Sequence, residues 1–566
     1  MGKYRPLPIG VDDFKQLVES NYYFVDKTLL IKDLLDKKGL VNLFARPRRF
    51  GKSLNLSMLR YFFEDARDAV GNKIDTVELF SGLAVLQSGE EYQKHMGRYP
   101  VIMLSLKSSK QEDFGQSFLS LADDIAEEFA RHAYILQSLQ MADYLKERYI
   151  AIMENRAGQA EYYKSLKFLS RCLYAFHGQK AIILLDEYDV PLESAYLYQY
   201  YPKMSSFLRS LFESALKGNP YLEFAVLTGC LRISKESIFT GMNNLETISI
   251  LNKNYSEYFG FTDSEVKQIC KDYGMPQKYG AIREWYNGYV FGDSNIYNPW
   301  SVVQYIKDLL ADINEPPKPY WANTSANSIV KELLARADRE VKDEIEQLIA
   351  GKAVEKPVHE DITYDEVYET MDNLWNFMFF TGYFRKVGER MEAGQKYLTL
   401  TIPNEEVRYI FRNKVLAWFR DQLGKRDQTR LFRAFAKMDV PVVRDELEDM
   451  LMSVISFYDY YENFYHGFLA GILYGMEGYV VKSNREGGTG RTDLFLKPVS
   501  RRVRAYVVEF KVAGKYGELK QKAREALAQI ESKSYARELL DDGYGAISCY
   551  GIAFFGKNCE VEAMEL

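Results

Sequence analysis

Four short apolar runs interrupt longer amphipathic stretches over the first 250 residues. Residues 41–45, 101–106, 181–185 and 224–228 are each of strand length and apolar almost throughout. Between them, residues 53–63 carry Leu54, Leu56, Met58, Leu59 and Phe62 near helical spacing, and residues 114–129, 162–176 and 207–216 read the same way. Strands that are apolar at every position, rather than at alternate ones, are buried on both faces. Alternated with helices, they predict an α/β fold with a mainly parallel sheet covered on both sides.

The pattern changes near residue 261. Residues 261–385 are mostly helical, broken by turn clusters at Trp285–Tyr289 (WYNGY), 297–300 (YNPW) and 316–319 (PPKP). Residues 331–372 hold 6 basic and 13 acidic side chains, the signature of a solvated helical face. From about residue 440 a third pattern begins. A helical stretch (446–475) leads to strands at 478–482, 493–496 and 505–510, a helix at 518–531 and a strand at 546–555. The expected organisation is an α/β domain over 1–260, a mostly helical middle over 261–440 that could act as a lever or a winged-helix-like module, and a compact α/β domain over 441–566.

Composition narrows the class. The chain has 566 residues, 47% hydrophobic and 27% charged, which excludes a disordered or collagen-like chain. Five scattered cysteines without a CxxC pair argue against a disulfide framework or a zinc knuckle and fit a reducing compartment. No run approaches the roughly 18–20 apolar residues of a membrane span, and the first residues, MGKYRPLPIGVDDF, lack a signal core. The expectation is a cytoplasmic protein with no membrane contact.

Two constellations carry chemistry. The first strand is followed by RPRRFGKS (residues 46–53) and then at once by a helix. Gly51 allows close backbone approach, Lys52 can reach β- and γ-phosphates, and the Ser53 hydroxyl can hold Mg²⁺ at the helix N-terminus. Arg46 stands where the motif GxxxxGK[ST] has its first glycine. Arg48 and Arg49, inside the loop, could contact phosphates or pair with acids of the domain. The apolar run 181–185 ends in Asp186 and Glu187, at the strand end where ligands bind in open α/β sheets. Asp186 would hold Mg²⁺, and Glu187 could polarise an attacking water. Thr228, ending the next strand, and Arg232 read equally as sensors of the γ-phosphate or as ordinary loop residues.

The second constellation lies near the C-terminus. Asp493 precedes by sixteen residues Glu509-Phe510-Lys511, in which Glu509 and Lys511 share one strand face. Charges inside an apolar strand are costly unless they bind something. Two carboxylates from adjacent strands, with the Phe510 carbonyl, can hold a hard divalent cation, and Lys511 can orient the attacking water or stabilise charge at phosphorus. Glu462 and His466, at i and i+4, share a helix face and read as a surface pair or as a further metal carboxylate and its companion. Gln529, Lys533 and Tyr535 lie on or after the next helix. Residues 481–524 hold 12 Lys/Arg against 4 Asp/Glu in a chain of net charge −6, the footprint of a surface for a polyanion.

The chain resembles the bacterial AAA-ATPase-like proteins that carry a C-terminal PD-(D/E)XK-superfamily nuclease domain. The carrying blocks are YFVDKT (23–28), PRRFGKS (47–53), LDEYD (185–189), WYNGY (285–289), YNP (297–299), YHG (465–467), GRTD (490–493), Glu509-Phe510-Lys511 and Gln529-Ile530. The resemblance implies a P-loop domain with Lys52 and Ser53 on nucleotide phosphate and Mg²⁺ and with Asp186 and Glu187 as Walker B acids. It implies a restriction-endonuclease-like domain with Asp493, Glu509 and Lys511 as its core and His466, Arg491 and Gln529 around it. The function expected is an ATP-binding protein with a Mg²⁺-dependent nuclease, gated by nucleotide and acting on nucleic acid, DNA first, with homo-oligomerisation left open. The alternative is a nucleotide-gated switch that binds nucleic acid or protein through an inactive nuclease fold. A pure motor on nucleic acid fits less well, for want of an aromatic-rich translocation motif.

Overall fold

The structure, a computed structural model, describes residues 4–566 apart from 138–140, 232–237, 240, 324–332, 334–335, 337–338, 360–365, 368, 414–427, 453–461, 488–489 and 534. The chain divides into two compact units. One comprises Met1–Thr324 with Glu355–Arg408, the other Ser325–Val354 with Tyr409–Leu566. Among the described residues no helix is long and apolar enough to cross a membrane.

The first unit is built on a five-stranded parallel sheet. Its strands are β1 (Val41–Ala45), β2 (Val101–Ser105), β3 (Ala181–Asp186), β4 (Leu222–Gly229) and β5 (Leu245–Ile248), in the order β2-β3-β4-β1-β5. The apolar runs therefore form the sheet as expected, and β1 and β3 are buried at every residue. The strand missing from the sequence reading is β5. It lies at the sheet edge with Glu246 exposed, so its text, LETI, has no continuous apolar run. The helices are α1 (Lys52–Phe63), α2 (Phe114–Arg131), α3 (Ser165–His177), α4 (Val190–Leu197) and α5 (Tyr201–Leu216). Because β4 lies between β1 and β3, the chain ends at Ala45, Asp186 and Gly229 open side by side on one edge of the sheet.

A buried polar cluster fastens the far end of α1. Glu64 pairs with Arg60 at 3.0 Å and with Arg131, and Arg131 also meets Glu128 at 2.6 Å. His132 lies 3.3 Å from Glu128 and bonds to Tyr134, which bonds His177, which in turn meets Asp65 at 2.9 Å. Each buried charge has a partner, the condition under which such a cluster is tolerated.

The rest of this unit contains α6 (Asp263–Asp272), α7 (Tyr279–Tyr286), α8 (Pro299–Ala311) and α9 (Met371–Phe380), with two small antiparallel sheets. One sheet includes β6 (Tyr289–Phe291) and β7 (Ser294–Tyr297), the other β8 (Arg385–Glu392) and β9 (Gln395–Thr401). The turn clusters at 285–289 and 297–300 are helix and strand ends, and that at 316–319 is irregular chain. Asn298 caps α8, whose first residue is Pro299, and Tyr297 donates to Asp263 at 2.7 Å.

The second unit carries a mixed sheet in the order β10-β11-β12-β13-β14. These strands are β10 (Tyr479–Gly487), β11 (Gly490–Pro498), β12 (Ala505–Val512), β13 (Ile547–Phe555) and β14 (Asn558–Glu565). All pairs are antiparallel except β12 with β13, which the helix α10 (Leu519–Ser532) connects as a crossover. A further helix, Glu462–Leu473, stacks Tyr465 on Phe554 at 4.3 Å between ring centres. The sequence reading omits β14, an edge strand in which Cys559 and Val561 point inward between partly exposed acids.

Candidate functional site

The loop between β1 and α1 closes on Gly51, whose φ of +79° only glycine adopts without strain, and α1 begins at the next residue. Lys52 is buried. Its ammonium donates to the carbonyls of Arg46 at 3.0 Å and Pro47 at 2.9 Å and lies 3.8 Å from the Cys230 sulfur. Ser53 Oγ donates to Asp186 Oδ2 at 2.5 Å, Thr228 donates its hydroxyl to Asp186 Oδ1, and the Glu187 amide donates to the same oxygen at 3.0 Å. Ser53, Asp186 and Thr228 thus converge at the C-terminal edge of the sheet. Glu187 has φ of +50°, and burial, with Asp186 next, pushes its carboxyl up from the usual range.

Arg46 turns its side chain into the interior of the unit. It is fully buried, and its guanidinium donates to Ala45 and Ile248 carbonyls at 2.9 Å each, with the Phe259 and Phe291 rings 5.3 and 5.2 Å away. Burial lowers its pKa to about 9. The side chain that replaces the first glycine is therefore a peg that ties the loop to β5 and the segment after it.

The two remaining arginines dock on different elements. Arg48 pairs with Glu193 of α4 at 2.5 Å. Arg49, at φ +68°, donates to the Tyr320 carbonyl at 3.0 Å and stacks 4.3 Å from the Trp300 ring. Beside them Glu406 is buried, accepting from Ser301 Oγ and the Trp321 amide at 2.9 Å, and burial pushes its carboxyl up to about 8. The WYNGY block supports this wall. Gly288 passes so close to Pro403 that a Cβ would lie 2.0 Å from its carbonyl oxygen, and Asn404 donates to the Asn287 carbonyl at 2.7 Å. Phe50 rests on Tyr289 with ring centres 4.9 Å apart.

In the second unit, Glu509 and Lys511 lie on β12 and Asp493 on the neighbouring β11. Glu509 is buried. Asp493 Oδ2 accepts from the Phe510 amide at 3.0 Å, and the Asp493 amide donates to Glu509 Oε2 at 3.3 Å. Gln529 on α10 spans the other two groups. Its Nε2 donates to Glu509 Oε1 at 2.5 Å, and its Oε1 accepts from Lys511 Nζ at 2.7 Å. Gly551 of β13, paired with Glu509, lets α10 approach. A Cβ there would lie 2.3 Å from the Ala523 carbonyl. Tyr535 Oη accepts from Gln529 Nε2 at 3.4 Å. His466 Nε2 is buried with no hydrogen-bond partner among the described residues, and its ring centre lies 6.1 Å from that of Phe510.

Among the described residues no three His, Cys, Asp or Glu side chains cluster as a metal site. Two carboxylates are nevertheless what Mg²⁺ requires, since that ion keeps most of its waters. The donor set of Asp493 and Glu509 fits it, as do Ser53 and Asp186 in the first unit. Arg232 lies outside the described residues, and so do the side chains of Glu462 and Arg491. The sequence reading passed over Cys230, Glu193 and Glu406. No spacing rule links them to the loop, because they reach it through the fold.

Residues 8–239 match the family model described as predicted AAA-ATPase, and residues 460–564 match that of the PD-(D/E)XK nuclease superfamily. The chain therefore has the architecture of an AAA-ATPase-like protein with a C-terminal PD-(D/E)XK-superfamily domain. A relative from Azotobacter chroococcum mcd 1, described as an uncharacterized protein in the vnfD 5' region, is 28% identical over 548 residues, covering 94% of this chain and 93% of its own. No solved structure matches the chain significantly.

Proposed function

We propose that the protein binds and hydrolyses ATP at the Lys52–Ser53 loop and cleaves nucleic-acid phosphodiester bonds at Asp493, Glu509 and Lys511, the first activity governing the second. The observation that carries the reading is the junction made by Gln529, which holds a buried carboxylate and a lysine on one strand face beside Asp493. A merely structural strand gains nothing from buried charges that an apolar pair would replace at lower cost.

At the C-terminal site, Asp493 and Glu509 would hold Mg²⁺, which supplies a Lewis acid for the scissile phosphate and acidifies water. Lys511 places its ammonium beside the Glu509 carboxylate, where it stabilises negative charge developing on the phosphoryl oxygens. Gln529 fixes the separation of the two. At the N-terminal site, Lys52 leaves the carbonyls of Arg46 and Pro47 to meet the phosphates. Asp186 and Ser53 would hold Mg²⁺ there, and Glu187, its carboxyl pushed up by burial, polarises the attacking water.

Gating is supported by the way the phosphate loop is fastened. Arg49 reaches Trp300 and Tyr320, and its neighbour Glu406 stands two residues before Arg408, where the first unit ends. A change in loop conformation on nucleotide binding would then reach Trp300, Tyr320 and Glu406.

The test is cleavage of labelled linear and circular DNA and RNA with Mg²⁺, by the parent and by Glu509→Ala. Cutting by the parent that the variant loses supports the reading. Equal cutting by both overturns the assignment of the site. No cutting by a folded, ATP-binding parent would leave a nucleotide-responsive binding switch.

A further inference from the structure

The acidic block LDEYD extends past the two acids that the proposed ATPase uses, and its last two residues are both buried. Tyr188 is fully buried and Asp189 is 2% exposed. Asp189 feels the charges of Lys52 and Arg48 in the loop between β1 and α1. Both residues also act on the strip of chain at the end of β4, residues 228–231.

Every residue of that strip is fastened. Thr228 gives its hydroxyl to Asp186 and its carbonyl to the Tyr188 amide at 3.1 Å. The amides of Cys230 and Leu231 both donate to one oxygen, Asp189 Oδ2, at 2.7 and 3.2 Å. Tyr188 Oη donates to the Leu231 carbonyl at 2.5 Å. Gly229 packs so tightly against this pair that a Cβ would lie 2.5 Å from the Tyr188 ring and 2.9 Å from Asp189 Oδ1. From the other side, the Gly229 carbonyl accepts from the Arg46 amide at 3.0 Å, and the Cys230 sulfur faces the Lys52 ammonium at 3.8 Å. The strip is the layer between the acids and the phosphate loop.

We infer that Tyr188 and Asp189 are positioning residues that lock the Thr228–Leu231 strip against the phosphate loop, so that Asp186, Thr228 and Lys52 keep one geometry around the terminal phosphate of the nucleotide. The inference rests on the ATPase reading for its catalytic consequence and on the hydrogen bonds alone for the clamp. A buried carboxylate that accepts from two consecutive amides orients a short strip more stiffly than one backbone bond does, because turning either amide away leaves a charged oxygen unsatisfied. The clamp bears on turnover more than on affinity. Nucleotide binding draws mainly on Lys52 and the amides at the start of α1, whereas hydrolysis needs the strip and the acids in register.

The test uses the full chain with Asp189→Ala, Asp189→Asn and Tyr188→Phe, and reads three quantities. These are the Kd for a fluorescent ATP analogue, the ATP turnover rate, and the rate at which iodoacetamide alkylates Cys230, measured on its peptide by mass spectrometry. Of the five cysteines only Cys230 is other than buried, so its labelling reports on the strip. For Asp189→Ala the expected result is a Kd within about two-fold of the parent, turnover lower by about ten-fold or more and labelling faster by about five-fold. Asp189→Asn, which keeps an acceptor oxygen, restores labelling and most of the turnover. Parent-like labelling in Asp189→Ala overturns the clamp, and affinity and turnover falling together without rescue by asparagine overturn the positioning role. Should the alanine variant fail to fold, Tyr188→Phe loses one hydroxyl only and shows the same directions at smaller amplitude; parent-like values there overturn the proposal. If the parent neither binds nor hydrolyses ATP, the ATPase reading fails, and labelling alone decides the clamp.

Discussion

Lys52 donates to the carbonyl of Pro47 at 2.9 Å, inside the loop that it is placed to serve. The loop carbonyls and a phosphate compete for the same ammonium, so binding replaces two neutral acceptors with a charged one. Charge-assisted bonds are roughly twice as strong as neutral ones, and the exchange favours the nucleotide. Lys52→Ala is expected to weaken ATP binding by about ten-fold or more while leaving the thermal midpoint near that of the parent; calorimetric titration and a melting curve check both.

Arg46→Gly, which restores the glycine of the standard loop motif, is expected to harm the protein. It removes a fully buried side chain and leaves the Ile248 carbonyl without its donor. Cavity and unsatisfied-acceptor costs together come to about 2–5 kcal/mol, which a urea titration would read as an earlier unfolding midpoint. A variant as stable as the parent would contradict the role of Arg46 as a peg.

Gln529→Ala is expected to lower cleavage by about ten-fold or more and to raise the Mg²⁺ concentration needed for half-maximal activity, since Glu509 and Lys511 lose the amide between them. The comparison is an initial-rate series over Mg²⁺. An unchanged rate and midpoint would show that the carboxylate and the lysine hold their places without it.

Stability is expected to fall with acid through the cluster beneath α1. Burial pushes the Glu128 carboxyl up, but Arg131 and the bonds from His132 and Arg131 outweigh it and hold the pKa at about 2, against 4.5 for the ordinary group. That contribution is present above about pH 4.5 and is lost as the pH falls toward 2. Burial, and then Arg131, lower the His132 pKa. The unfolded chain therefore takes up a proton below about pH 6.5 that the folded one resists, which also lowers stability on acidification. Urea midpoints measured from pH 7.5 down to 2.5 should decline, and below about pH 4.5 less steeply in Glu128→Gln.

What was legible in the sequence follows from how each element is buried. The strands β1 to β4 are covered on both faces or nearly so, and their apolar runs announced them. The edge strands β5 and β14 bury one face or less, and LETI and NCEVEAME carry too weak a pattern to stand out. Glu509 and Lys511 were readable because two charges at i and i+2 in an apolar strand violate the expected pattern. The role of Arg46 was not, since a peg and a phosphate ligand look alike in sequence. Glu406, 357 residues from Arg49, meets that loop only because WYNGY and the 403–404 turn bring it there.

The measurement that tests the account most directly is Mg²⁺-dependent cleavage of labelled DNA and RNA with and without ATP, by the parent and by Lys52→Ala. The account predicts that ATP changes the parent's rate by about ten-fold or more and leaves the rate of the variant unmoved, while both retain the Asp493 and Glu509 site. A parent whose cutting ignores ATP, or a Lys52→Ala variant that responds to ATP like the parent, would contradict the claim that the phosphate loop governs the nuclease.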